Sequence, residues 1–166
     1  MSMSGHFNAR GDVGFLKENF NRNLGAGEKL IGSEFWMDIH GHGELSVLIR
    51  STQIPELARE DVEDTGPMGL KFNQHGTLKN SGEITVTCVE TLEGAVYAAV
   101  VNLVRHKKYV DITIRATPES LSGVSSPSLI RKLGHCKVYC EAVDLATEDT
   151  TALVKPSLRI VYNWVE

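Results

Sequence analysis

Much of what the common functional classes require is missing from this chain. Three cysteines in 166 residues, Cys88, Cys136 and Cys140, do not make a framework of paired bridges. Cys136 and Cys140 fall on one face of an extended run, about 13 Å apart, too far for a disulfide without a bend. All three read as small buried apolar residues, with a bridge between neighbouring subunits in an oxidising setting as the alternative. No apolar run approaches the roughly 20 residues of a bilayer-spanning helix, so a membrane role is not expected. The N-terminus lacks the basic-then-apolar layout of a secretory signal. Positive charge is not in excess: the formal net charge is −4. That argues against gripping nucleic acid by its phosphates, though an acidic chain can surround DNA without holding it. There is no Gly-X-Ser-X-Gly elbow, no phosphate-cradling glycine loop followed by Lys-Ser/Thr, and no Cys-X-X-Cys pair. Neither catalysis nor a cofactor is expected.

What is present suits one globular domain over 1–166, with 42% hydrophobic and 23% charged residues. Residues 1–33, rich in Gly, Asn and Ser, read as an extended lead-in. Runs 34–40 and 45–52 read as an antiparallel pair about a short glycine turn. In 83–89, Ile84, Val86 and Cys88 point one way and Glu83, Thr85 and Thr87 the other. In 109–116, Val110, Ile112 and Ile114 make a dry face, and Asp111, Thr113 and Arg115 a wet one. Runs 137–145 and 157–165 are further strands. In the last, Leu158, Ile160, Tyr162 and Trp164 share a face.

One helix is expected from about Leu92 to Arg105, N-capped by Thr91, with an apolar stripe of Leu92, Val96, Ala99, Val100 and Leu103. Arg105, Lys107 and Lys108 at its end complement the helix dipole or offer a salt-bridging surface to another subunit. Residues 117–128, with two prolines and five serines, make a loop. The fold class that follows is mainly β, a sandwich or open barrel with one packed helix.

The most informative stretch is Arg50–Leu70. A strand ends near Gln53, because proline at 55 removes a donor and holds Ile54 extended. An acidic segment follows and turns at Gly66-Pro67-Met68-Gly69. Residues 54–69 read as a projecting arm that docks onto another copy, through Ile54, Pro55, Leu57, Arg59, Glu60, Glu63 and Asp64.

A strand leading into Gln53-Ile54-Pro55-Glu56-Leu57-Ala58-Arg59-Glu60, then Gly66-Pro67-Met68-Gly69, resembles the tail tube proteins of contractile-tailed bacteriophages. The resemblance runs on to the C-terminal strand. It implies a non-enzymatic virion subunit, assembled in the host cytoplasm into stacked hexameric rings through which DNA passes without specific binding. It also implies tail sheath, baseplate and tail terminator proteins as partners. Each subunit would give strands to a shared barrel, with Glu83, Thr85, Thr87, Asp111, Thr113 and Arg115 as candidates for the channel lining.

Two other readings remain. Type VI secretion tube proteins resemble tail tubes in fold. The enzyme-class rival is a cupin-like metal protein using His40, His42 and Glu44, since His-X-His places both rings on one side of a strand. The glycines at 41 and 43 favour a solvated turn over a rigid ligand strand, and no metal is expected.

Overall fold

The computed structural model describes residues 10–121 and 125–166, so part of the 117–128 loop and the first nine residues lie outside them. The chain divides into two compact units, the first ending at Gly32 and the second spanning Ser33–Glu166.

In the first unit the expected extended lead-in contains a helix, α1 (Val13–Gly25). Asp12 caps it, its carboxylate accepting the Phe15 N–H at 3.0 Å. Val13, Leu16, Phe20 and Leu24 recur at helical spacing and are exposed. The surrounding glycines and asparagines, poor helix formers, obscured that period in the sequence.

The second unit is built on β1 (Phe35–Ile39), β2 (Ile49–Ser51), β3 (Arg59–Thr65), β4 (Lys71–Leu78), β5 (Gly82–Cys88), α2 (Ala95–Arg105), β6 (Val110–Ala116), β7 (Ile130–Cys140), β8 (Ser157–Tyr162) and β9 (Trp164–Val165). Seven strands form a nearly closed, barrel-like sheet in the order β1-β6-β7-β8-β5-β2, with β9 also beside β7. β3 and β4 form a separate two-stranded ribbon. The expected alternation holds: Ile84, Val86, Cys88, Ile112, Ile114, Leu158, Ile160 and Tyr162 are buried in one core. Val96, Ala99, Val100 and Leu103 of α2 complete it.

Four expectations are corrected. First, β1 and β2 do not pair with each other; β1 lies beside β6 and β2 beside β5, at opposite edges of the sheet. Gly41 at φ +85° and a single 3-10 turn, Gly43–Leu45, carry the chain across instead. Leu45 and Ser46 are buried in that crossing, where the Ser46 hydroxyl donates to Asp38 at 2.9 Å.

Second, α2 begins at Ala95, and Leu92 is fully exposed. Gly94, at φ +72°, breaks the first turn. Thr91 still accepts the Ala95 N–H at 3.2 Å, but the main cap is Glu90. Its carboxylate accepts the Thr91, Val96 and Tyr97 N–H groups at 2.9, 3.1 and 2.9 Å.

Third, the strand expected over 137–145 is β7, which starts at Ile130 and stops at Cys140. His135, at φ +53°, puts a bulge in it, so Leu133 and Cys136 are both buried although three apart. That break in alternation hid the first half of the strand. As far as Cys136 β7 pairs with β6, and at Leu133 and Gly134 with β9; from Lys137 it pairs with β8.

Fourth, Trp164 leaves the face of Leu158, Ile160 and Tyr162 and is exposed, while Val165 is buried in its place. A bend at Asn163 moves the chain from the β8 pairing to the β9 pairing, fixed by the Asn163 amide donating to the His135 carbonyl at 2.7 Å.

Cys88 and Cys136 are fully buried and Cys140 half-buried, all as free thiols. Burial, with Cys140 and Glu90 nearby, pushes the Cys88 thiol up to about 11. Burial and the Asp111 carboxylate push Cys136 up to about 12.

Candidate functional site: assembly surfaces

Every strand that buries alternate residues must present the others to water. On β5 and β8 the hydrated row holds Glu83, Thr85 and Thr87 opposite Val161, Arg159 and Ser157. Arg159 sits between two carboxylates, 3.7 Å from Glu83 and 3.8 Å from Glu141, with its guanidinium 5.1 Å from the Tyr139 ring centre. Beyond β2, the Gln53 side chain accepts the Thr85 N–H at 3.1 Å and stands in for a strand neighbour.

On β6 and β1 the hydrated row pairs Thr113 with Asp38 and Arg115 with Trp36. Arg115 lies 3.7 Å from the Asp38 carboxylate. Asp111 is engaged differently: its carboxylate accepts the His135 N–H at 3.1 Å and holds the β7 bulge. The six sequence-chosen residues thus fall on two separate strips, with β7 and β8 between them. Arg159, Tyr139, Glu141 and Asp38 were not among them. Alternation within 157–162 pointed to Arg159 directly, since Leu158 and Ile160 flank it.

The segment expected as an arm, 54–69, spans irregular chain, the first strand of the ribbon and its turn. Pro55 is buried and Ile54 and Leu57 are exposed, in irregular chain before the ribbon. The β3–β4 hairpin runs from Arg59 to Leu78, turning through Pro67–Gly69 with Met68 at φ +60°. Every residue of β3 is exposed, including Glu60, Glu63 and Asp64. Arg59 donates to the Gly76 carbonyl at 3.1 Å, and Lys71 lies 3.5 Å from Glu63. A Cβ at Gly76 would stand 2.7 Å from the Glu60 carbonyl, which is why the close strand contact carries glycine there.

The histidine cluster does not converge. His40 turns to the Thr113 hydroxyl at 3.2 Å, and His42 faces Glu44 at 3.8 Å. Among the described residues no three His, Cys, Asp or Glu side chains gather as metal ligands, which removes the geometric basis of the cupin-like reading. No helix among them is long and apolar enough to cross a membrane.

No family model matches the chain, and no curated protein does. Solved structures do. A chain of the sheath–tube complex of an extracellular contractile injection system, in the extended state, superposes with a TM-score of 0.64 at 12% identity, over 87% of this chain and 95% of that one. A chain from the sheath/tube terminator of such a system, also extended, gives 0.66 at 13% identity, covering 84% and 96%. A chain of the native gene transfer agent virion gives 0.53 at 13% identity, covering 81% and 94%. At such identities the backbone plan is shared and the individual side chains are not. The mainly β, barrel-like fold of this chain is shared with these chains of contractile injection systems.

Proposed function

We propose that this chain is a structural subunit of a contractile particle's inner tube. Copies assemble into hexameric rings that stack into a conduit for DNA, within a particle that also holds sheath, baseplate and terminator proteins. The observation that carries the reading is the pairing of two features on one fold of the tail-tube type. One is a barrel-like sheet whose outward strips are polar and charge-compensated; the other is a ribbon that buries nothing.

A channel wall that lets DNA slide must avoid strong attraction. Arg159 beside Glu83 and Glu141, and Arg115 beside Asp38, pair each of these arginines with carboxylate on its strip. Among the described residues the edges at β1 and β2 lack outer strand partners, and neighbouring subunits in a ring would cover them. The hairpin is the arm that joins subunits. Catalysis has no part in this role.

Negative-stain electron microscopy across a concentration series tests the proposal. Rings or hollow tubes of uniform width are expected; small monodisperse particles at every concentration would overturn it. A second reading, the tube of an injection system that carries no genome, is favoured by the neighbours from extracellular contractile injection systems. Nucleic acid content of the native particle separates the two.

A further inference from the structure

We propose that a cationic notch at the C-terminal end of α2 receives the acidic β3–β4 hairpin of a second copy of this chain. The inference rests on the tube reading and names the partner of its arm.

The notch has a volume of ≈ 300 Å³ and is walled by Lys107, Lys108, Lys137, Tyr109 and Tyr139 over an apolar floor that includes Leu103. It exists because the sheet splits there. β6 begins at Val110 opposite Cys136, and β7 beyond Cys136 pairs with β8, so among the described residues 137–140 have no strand on the other side. The Tyr109 ring is held by a stacked His135, centres 3.8 Å apart and planes 11° apart, so that wall is preformed.

The turn that closes α2 presents the lysines. Lys107 N–H donates to the Val104 carbonyl at 3.3 Å and Lys108 N–H to the Leu103 carbonyl at 3.0 Å, the paired bonds of a Schellman cap. That cap needs a left-handed residue, usually glycine, yet Lys107 occupies it at φ +51°. A side chain kept where glycine is more stable points to a use for that side chain. The helix dipole accounts for cations at 107 and 108 but not for Lys137, which comes from β7. Among the described residues none of the three ammonium groups has a carboxylate within 4 Å, while Lys137 lies 5.7 Å from the Tyr139 ring centre. Three like charges around one small space favour an anionic, partly apolar occupant.

The hairpin has that chemistry. Glu60, Asp61 and Asp64 lack basic neighbours within 4 Å among the described residues, Glu63 alone of the β3 acids being paired, with Lys71. Val62 is exposed and shares a face with Asp64, so the ribbon offers an apolar side chain beside a carboxylate. Seven residues of β3 reach on the order of 23 Å at the strand rise, enough to leave the subunit that bears them. A hairpin on one copy and a notch on the next make a head-to-tail contact, which propagates rather than closing on a dimer.

The test uses the full chain, mixed as ¹⁴N and ¹⁵N copies, under conditions where microscopy records whether tubes form. A zero-length carbodiimide then joins carboxylates to amines that touch. Expected are mixed-isotope peptides linking Lys107, Lys108 or Lys137 to Glu60, Asp61 or Asp64. Tubes without those links overturn the notch and leave the tube reading standing. Links in small oligomers without tubes support the notch and overturn the tube reading; no links and no oligomers overturn both.

Charge reversal supplies the second measurement. Lys107→Glu/Lys108→Glu/Lys137→Glu and Glu60→Lys/Asp61→Lys/Asp64→Lys should each stay monomeric, with assembly at least tenfold weaker, and should assemble when mixed with each other. Two folded variants, judged by circular dichroism, that fail alone and also fail together overturn the pairing. So does a notch variant that assembles like the natural chain.

Discussion

The β5–β8 pair and the β3–β4 hairpin are antiparallel ribbons of similar length in the same unit, and they are held by different things. In the first, Ile84 faces Ile160 and Val86 faces Leu158, all buried. Burial of that row supplies the stability, and the hydrated row is free to vary. In the second, Val62, Phe72 and Leu78 are exposed and β3 has no inward row at all. A lone two-stranded ribbon is marginal in water, so within the subunit this one depends on its turn and on Arg59. One ribbon holds the subunit together; the other buries no residue of its first strand within it.

That contrast breaks first in the core. Ile160→Ala removes a buried branched side chain between Ile84 and Val138 and should cost about 2–5 kcal/mol in urea unfolding of the unassembled subunit. Val62→Ala should cost under about 0.5 kcal/mol in the same assay while weakening assembly. Equal losses from the two would mean that the hairpin is packed within its own subunit.

Glu90 is next in size. Glu90→Gln removes a charged acceptor from three N–H groups ahead of α2 and should lower stability by about 1–2 kcal/mol, read by thermal melting. Thr91→Ala, which loses one 3.2 Å contact, should cost only a few tenths. The reverse ranking would restore Thr91 as the main cap.

The same residues show what was legible in the sequence. Period-2 alternation gave the inward and outward residues of β5, β6 and most of β8, and period 3.6 gave the buried stripe of α2. Failures occurred where one residue broke a period. His135 in a bulge hid the start of β7, Asn163 at a bend reversed Trp164, and Gly94 delayed α2. The β1–β2 pairing was misjudged for another reason. A glycine turn signals reversal, but only the buried Leu45 tells that the chain crosses to the opposite edge. The break at Ile54-Pro55 and the acidic run that follows marked the approach to the β3–β4 ribbon. Its second strand, Lys71–Leu78, was not visible, because an exposed ribbon has no hydrophobic alternation to read. The basic cluster at 105–108 was also visible, but Lys137 joins it only through the β7 register.

Alkali probes the buried row from another direction. Cys88 and Cys136 have thiols raised from an ordinary 9.0 to about 11 and about 12, by burial first. The folded state therefore keeps these protons where the unfolded chain releases them. Their contribution is fully present below pH 9 and is lost as pH rises through the window from 9 to about 12. Melting under reductant should fall by roughly a few degrees between pH 8.5 and 11. Cys88→Ala/Cys136→Ala should start lower and decline less steeply. Parallel slopes would mean that other groups set the alkaline limit. At neutral pH half-buried Cys140 should be the one thiol that a disulfide reagent titrates quickly.

The smallest effect sharpens the contrast at the surface. Arg159 is about two-fifths exposed, and its two contacts, at 3.7 and 3.8 Å, lie at the long end of ion-pair range. Arg159→Ala should therefore change subunit stability by under about 0.5 kcal/mol, with solvent screening most of the pairing. In a ring the same change acts on every copy at once. It leaves Glu83 and Glu141 without their common cation and turns one compensated strip acidic around the whole circumference. If that strip lines the conduit, tubes of the variant should form normally and take up a small cationic dye more strongly than wild-type tubes, with the difference vanishing at high salt. Arg115→Ala makes the corresponding change beside Asp38 on the other strip. If one strip alone walls the conduit, only one of the two variants should alter dye uptake, since β5 and β6 are set apart in the sheet by β7 and β8. A response from both would mean that the sheet is flatter in the assembled ring than in the isolated subunit.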